Sequence, residues 1–236
     1  MQEWIIYFNK QFRCVENTTH ARRAGEVEKK RECMELPDIL KSAIEKQIEG
    51  LKHVQLAQDA QALSLRYRTE SGSGKRLLTH DNEAAAYSVV RMPATYGAVF
   101  TALKHSINLI DTSPTSLLDV GAGTGAASWA AVSLIDLKSA VCLEREEAMC
   151  RIGQKLMSGA PAPLDDAKWI RQDLLTEDIN EKADLVIVSY VLNEMTDDER
   201  ANVIFKLWNS TNMYLLIVEP GTPAGFSQMI KTRSIL

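Results

Sequence analysis

Three glycines at alternate positions, Gly121, Gly123 and Gly125, follow the apolar run "SLLDV" and precede the helix-compatible "AASWAA". Glycine at this spacing lets the backbone approach a ligand closely where a strand turns into a helix, and the first amides of that helix suit an electron-rich ligand group. Acids recur around the turn. Asp119 lies two residues before Gly121, and Glu144 ends the next apolar run, 23 residues after Gly121. Asp173, followed by Leu174, closes a third run in "RQDLL". With Ala126 the same letters satisfy G-x-G-x-x-G/A, so the turn alone suits either a dinucleotide or S-adenosylmethionine.

The neighbours favour the second ligand. A carboxylate at Asp119 would repel a pyrophosphate and suit the ammonium of an aminocarboxylate. Glu144 stands where an acid bonds ribose hydroxyls, which serves both ligands. Asp173 can accept from an adenine amino group, with the Leu174 backbone beside the ring. Read in order, these groups describe S-adenosylmethionine. Arg91 is a candidate fork for the methionine carboxylate, with a surface ion pair as the competing reading. Ser189 and Tyr190 follow the fourth strand of the alternating half, at the edge where open α/β sheets bind ligands. Tyr190 suits either the lining of a methyl-transfer pocket or the core. Asn193 and Glu194 read as the start of the next helix. No "N-P-P-Y" or "D-P-P-Y" follows that strand, so methylation of an exocyclic base amine is not supported. No general base stands out, and the catalytic residue stays unassigned. Methyl transfer can rest mainly on positioning the nucleophile in line.

These residues need a parallel sheet to hold them. Strands are predicted at 116–120, 139–144, 168–173, 184–190 and 213–219, with helices at 125–135, 146–157, 197–209 and 223–233. "ADLVIVSY" and "YLLIVEP" are nearly continuous apolar runs, as in parallel strands covered on both faces. The expected fold is α/β, a doubly wound Rossmann-like sheet preceded by an α-helical region. "MELPDILKSAIEKQIEGL" and "VQLAQDAQALSLRYR" carry helical periodicity, and "TESGSGK" reads as a link. Helix is predicted again over 82–110, broken at Met92-Pro93. The organisation expected is an extension at 1–33 without sustained periodicity, a candidate for disorder; a helical region and linker at 34–81; and the cofactor-binding domain at 82–236. No strand pattern is read in the first half.

Composition sets outer bounds. The 236 residues carry a net charge of −4, with 45% hydrophobic and 25% charged residues, which is ordinary for a globular protein. Residues 1–115 sum to +2 and residues 116–236 to −6, so a polyanion would more plausibly meet the first half. Cys14, Cys33, Cys142 and Cys150 form no C-x-x-C pair, and no metal site is predicted. His20, His53, His80 and His105 are scattered. No apolar run is long enough to span a membrane. Five glutamates within residues 1–33 argue against a transit peptide. A cytoplasmic location is expected.

"LLDVGAGTGAASWAA", "CLEREEAM", "QDLL" and "VSYVLNEM" resemble the successive motifs of class I methyltransferases. "SVVRMPATYGAV", "VLNEMTDDER" and "LIVEPGTPAGF" narrow this to a resemblance with the methyltransferase-like proteins of the mitochondrial and bacterial small ribosomal subunit. The resemblance covers roughly 34–236. It implies S-adenosylmethionine as cofactor and the small ribosomal subunit or its rRNA as partner, with the mitochondrial matrix as an alternative location. It implies methyl transfer or a non-catalytic assembly role; a small-molecule methyltransferase is the remaining alternative. It also implies two strands and a cysteine-rich segment beyond "EPGTPAGF", an uncovered sheet edge in their absence, and a start near Met34.

Overall fold

The computed structural model describes residues 4–9, 12–16, 35–50, 62, 81–109 and 112–236, with 4–9, 12–16 and 81–82 described by backbone alone. The helix predicted within 54–68, the link at 69–75 and the start at Met34 lie outside the described residues, Ala62 excepted.

One seven-stranded sheet organises the molecule. Its strands are β1 (Trp4–Asn9), β2 (Phe12–Glu16), β3 (Ser116–Val120), β4 (Ser139–Glu144), β5 (Lys168–Arg171), β6 (Ala183–Ser189) and β7 (Thr211–Glu219). They lie in the order β2-β1-β7-β6-β3-β4-β5. β3 to β7 are mutually parallel, and the chain reverses direction across the sheet between β3 and β6. Open α/β sheets bind ligands at such a switch point, beyond the carboxyl ends of the strands. The helices are α1 (Asp38–Ile48), α2 (Asp81–Val90), α3 (Met92–Ser106), α4 (Ala126–Val132), α5 (Glu147–Met157), α6 (Asp197–Ser210) and α7 (Pro223–Ile235).

The central strands are apolar on both faces because both are covered. Leu185 and Ile187 of β6, and Leu216 and Val218 of β7, join one core with residues of α1 and of α3 to α5. Val186 and Val188, with Leu215 and Ile217, join the other, against Val203, Ile204 and Leu207 of α6 and Met229 of α7. This is the period-two alternation of a strand, with both halves of the alternation buried. Gly153 of α5 carries no β-carbon because the ring of Trp169 on β5 fills that space. α6 begins with a capping box: Glu199 N–H donates to Thr196 Oγ1, and the Glu199 carboxylate accepts the Thr196 N–H. The α2–α3 break falls at Arg91, just before Met92-Pro93.

The first half is not wholly helical. β1 runs antiparallel along β7, from Trp4 opposite Glu219 to Asn9 opposite Tyr214, and β2 pairs antiparallel with β1. The reading of no strand pattern before residue 116 is therefore corrected, and so is the expectation of an uncovered edge beside β7. "WIIYFN" is rich in β-branched and aromatic residues, but six residues are too short to show a period. Its conformation is set by the unpaired edge of β7, which local sequence does not reveal.

Candidate functional site

β3 ends at Val120, and the chain then turns through three left-handed glycines, with φ +69° at Gly121, +57° at Gly123 and +88° at Gly125. Other residues rarely adopt such values. The amides of Gly121 and Ala122 both donate to the Leu143 carbonyl, at 2.8 and 2.9 Å, which ties the turn to the end of β4. Glu144 completes the tie: its Oε2 accepts the Gly123 N–H at 2.8 Å and its Oε1 accepts the Glu146 N–H at 2.8 Å. Burial nevertheless raises the Glu144 pKa above its ordinary value, against the pull of these two bonds. Each carboxylate oxygen has a second lone pair free of these backbone bonds.

Two side chains frame the turn. A methyl group of Val191 occupies the place a Gly121 β-carbon would take, whereas a β-carbon at Gly123 would meet nothing closer than the Tyr87 ring at 3.8 Å. Gly125 is closed as well, with the end of Met157 in the place of its β-carbon, so only Gly123 of the three has clearance. Tyr87 belongs to α2, and its pKa is pushed up to about 12 by burial and by Glu144, with Arg91 pulling the other way. The structure therefore brings Arg91 into the same electrostatic neighbourhood as Tyr87 and Glu144.

Past β6, Ser189 pairs with Val218, and Tyr190 adopts φ +60°, the one non-glycine positive φ among the described residues. A short 3-10 turn, Leu192–Glu194, follows. Glu194 has its pKa raised to about 7 by burial and by Glu144 and Glu146, with Arg145 opposing. Glu144, Glu146 and Glu194 thus share one electrostatic neighbourhood.

Asp119 is fully buried, and its Oδ2 accepts the N–H of Ser128 at 3.0 Å and the Ser128 hydroxyl at 2.7 Å. It satisfies an otherwise orphaned amide in the first turn of α4. Burial raises its pKa to about 6, and its Oδ1 has no partner. Asp119 thus serves the helix start through Oδ2, while Oδ1 is left without a bond to Ser128. Asp173 is likewise engaged locally: its Oδ1 accepts the Leu175 N–H at 3.0 Å. The Leu174 carbonyl accepts from Lys206 Nζ at 3.0 Å. Both follow β5, where the Gln172 N–H donates to the Glu144 carbonyl.

Sequence reasoning missed Tyr87, Val191 and the role of Glu194. Tyr87 lies in "EAAAYSVV", which reads only as a helix, and nothing local announces its approach to Gly123. Among the described residues no group of three or more His, Cys, Asp or Glu could hold a metal ion, and no helix is long and apolar enough to cross a membrane.

The sequence profile of the family described as mitochondrial small ribosomal subunit Rsm22 matches residues 81–236. The chain belongs to the Rsm22 family. Among relatives of this Rsm22-family chain, the human mitochondrial ribosome assembly protein METTL17 is 30% identical over 158 residues, 64% of this chain and 34% of that protein. The chain thus spans about a third of that relative's length. The magnesium protoporphyrin IX methyltransferase of Synechocystis PCC 6803, solved with bound S-adenosylmethionine, is 17% identical with a TM-score of 0.46, over 74% of this chain and 85% of that one. An amino pentose methyltransferase of Micromonospora echinaspora is 19% identical with a TM-score of 0.42, over 58% and 54%. The Rsm22-family chain carries a doubly wound, Rossmann-like sheet, with an N-terminal helical region.

Proposed function

We propose that this chain is an S-adenosylmethionine-binding, methyltransferase-like protein that works with the small ribosomal subunit. The observation that carries the cofactor reading is the charge at the glycine turn. Burial raises the proton affinity of Glu144 and Glu194, and neighbouring carboxylates add to it, Glu146 on Glu144 and both of these on Glu194. That field opposes a dinucleotide pyrophosphate and favours a ligand carrying a sulfonium and an ammonium. Gly123, where a β-carbon would meet only the Tyr87 ring at 3.8 Å, is the least covered glycine of the turn.

In this reading Glu144 bonds the ribose hydroxyls through its remaining lone pairs, Gly121, Gly123 and Gly125 admit the backbone to the ligand, and Arg91 takes the carboxylate. Asp173 and Leu174 meet the adenine from the end of β5, and Ser189 and Tyr190 border the acceptor side. Bound S-adenosylmethionine supplies an electrophilic methyl group. Glu194, with a pKa of about 7, is suited to hold or release a proton near neutral pH.

The ribosomal partner is supported by the family description and by the ribosome assembly role in the name of METTL17. Both names are mitochondrial, which favours the matrix over the cytoplasm. The name of METTL17 also favours a second reading, a non-catalytic assembly factor that keeps the cofactor site.

Calorimetry tests the cofactor: saturable binding of S-adenosylhomocysteine is expected, and saturable NAD binding with none for S-adenosylhomocysteine would overturn it. Labelled S-adenosylmethionine and small-subunit particles then separate the two readings. Label in rRNA with wild-type protein, lost in Gly123→Arg, supports an enzyme. Particle binding by both proteins with no label from either supports the assembly factor.

A further inference from the structure

Two buried ionisable side chains converge on the backbone of one residue, Leu192. Glu219, at the end of β7, is fully buried, and its Oε1 accepts the Leu192 N–H at 2.8 Å. Arg200 of α6 is 3% exposed, and its Nε donates to the Leu192 carbonyl at 3.0 Å. The Arg200 fork also donates from Nη2 to the Met195 carbonyl at 2.6 Å and from Nη1 to Asp197 Oδ1 at 2.6 Å. With its amide turned to satisfy both neighbours, Asn193 donates to Glu219 Oε2 at 3.3 Å and to the Tyr190 carbonyl at 3.0 Å. Tyr190 in turn donates its N–H to the Val218 carbonyl at 2.8 Å.

Every bond in this set ends on the segment 190–197. A core built for stability alone does better with apolar side chains than with buried ionisable ones. Here the groups hold a segment that contains a left-handed tyrosine, a conformation that persists only where the surroundings over-determine it. That segment also reaches the glycine turn. Val191 fills the space above Gly121, and Glu194 lies in the field of Glu144.

We infer that Glu219 and Arg200 are positioning residues for the cofactor site: by gripping the N–H and the carbonyl of Leu192 they hold Val191 against Gly121. The inference rests on the reading of the glycine turn as that site. The two residues act through the segment, and neither is assigned a contact with ligand or acceptor. A glutamine at 219 keeps the size but presents an amide donor to the Asn193 amide. A lysine at 200 keeps the charge but cannot reach three acceptors in a fixed fork.

The test is hydrogen exchange of the full chain, with calorimetry against S-adenosylhomocysteine, for wild type, Glu219→Gln, Arg200→Lys and Asn193→Ala. The last, at a half-buried position, keeps the test open should a buried variant fail to fold. Exchange across 190–196 should quicken by about tenfold while β3, β4 and β6 keep wild-type protection. Affinity should fall by about tenfold, the loss of one well-made buried bond. Unchanged exchange across 190–196 in all variants would overturn the inference. So would a uniform rise across β6, β7 and α6, which is the mark of a merely structural role. Failure of wild type to bind S-adenosylhomocysteine would sink the cofactor reading instead, and exchange in the free protein would still decide the grip.

Discussion

A methyl group of Val191 occupies the volume that a β-carbon on Gly121 would need. The turn and the segment after β6 therefore interlock. Gly121→Ala must adopt φ +69° and displace Val191, whereas Gly123→Ala must adopt φ +57° with no atom nearer than 3.8 Å. The left-handed conformation costs about 1–2 kcal/mol in each case. Overpacking at Gly121 adds about 1–3 kcal/mol. Urea unfolding should rank Gly121→Ala as clearly less stable than Gly123→Ala, and the reverse order would refute the interlock.

Stability of the ligand-free protein should fall as pH rises towards about 8. Asp119, Glu194 and Glu219 have pKa values raised to about 6, about 7 and about 8. A group raised in the folded state contributes stability that is present below its unfolded pKa and lost as pH climbs through the folded one. For Glu219 that window runs from 4.5 to about 8. Asp184, Asp197 and Glu199 are lowered, so their contribution is lost only below the ordinary carboxylate range. Thermal midpoints across the window should decline, and less steeply in Glu219→Gln. A rise with pH would contradict this.

Selectivity between cofactor and product should also depend on pH. Deprotonation of Glu194 near pH 7 adds negative charge beside Glu144. A sulfonium gains from that charge and a thioether does not, so the affinity ratio of S-adenosylmethionine to S-adenosylhomocysteine should grow as pH passes 7. Glu194→Gln should remove most of the growth. An equal ratio on both sides of pH 7 in wild type would place Glu194 away from the reacting sulfur.

Removal of residues 1–16 should uncover β7, which β1 pairs from Tyr214 to Glu219. An open edge with paired apolar neighbours invites association. The shortened chain should sediment as larger species at concentrations where the full chain does not, and identical sedimentation would count against the pairing.

The parallel half of the sheet was legible because its signals are local. "SLLDV" and "SAVCLE" stop where β3 and β4 stop, since the glycine turn and the charged "REE" end the apolar runs abruptly. Met92-Pro93 likewise marked the α2–α3 break to within a residue. The candidate site was legible in its backbone, where the left-handed turn demands glycine at Gly121, Gly123 and Gly125. It was not legible where a side chain's partner is chosen by the fold. Asp119 looks identical in sequence whether it meets a ligand or Ser128. Glu219 reads as the end of a strand until Leu192 and Arg200 arrive from elsewhere. β1 was missed because β7, the strand that seats it in the sheet, lies at the far end of the sequence.

That separation bears on how the chain is made. β3 and β4 can join with little delay, but β1, with β2 beside it, has no sheet to join until β7 exists. Contacts so distant along the chain form slowly, because the intervening loop must close before any contact rewards it. During synthesis the apolar "WIIYFN" would have only β2 to pair with, and exposed strands of that kind are prone to associate wrongly, which is where a chaperone would act. Docking of β1 on β7 would then be the step that reports completion of the parallel sheet, and the moment at which such a chaperone lets go.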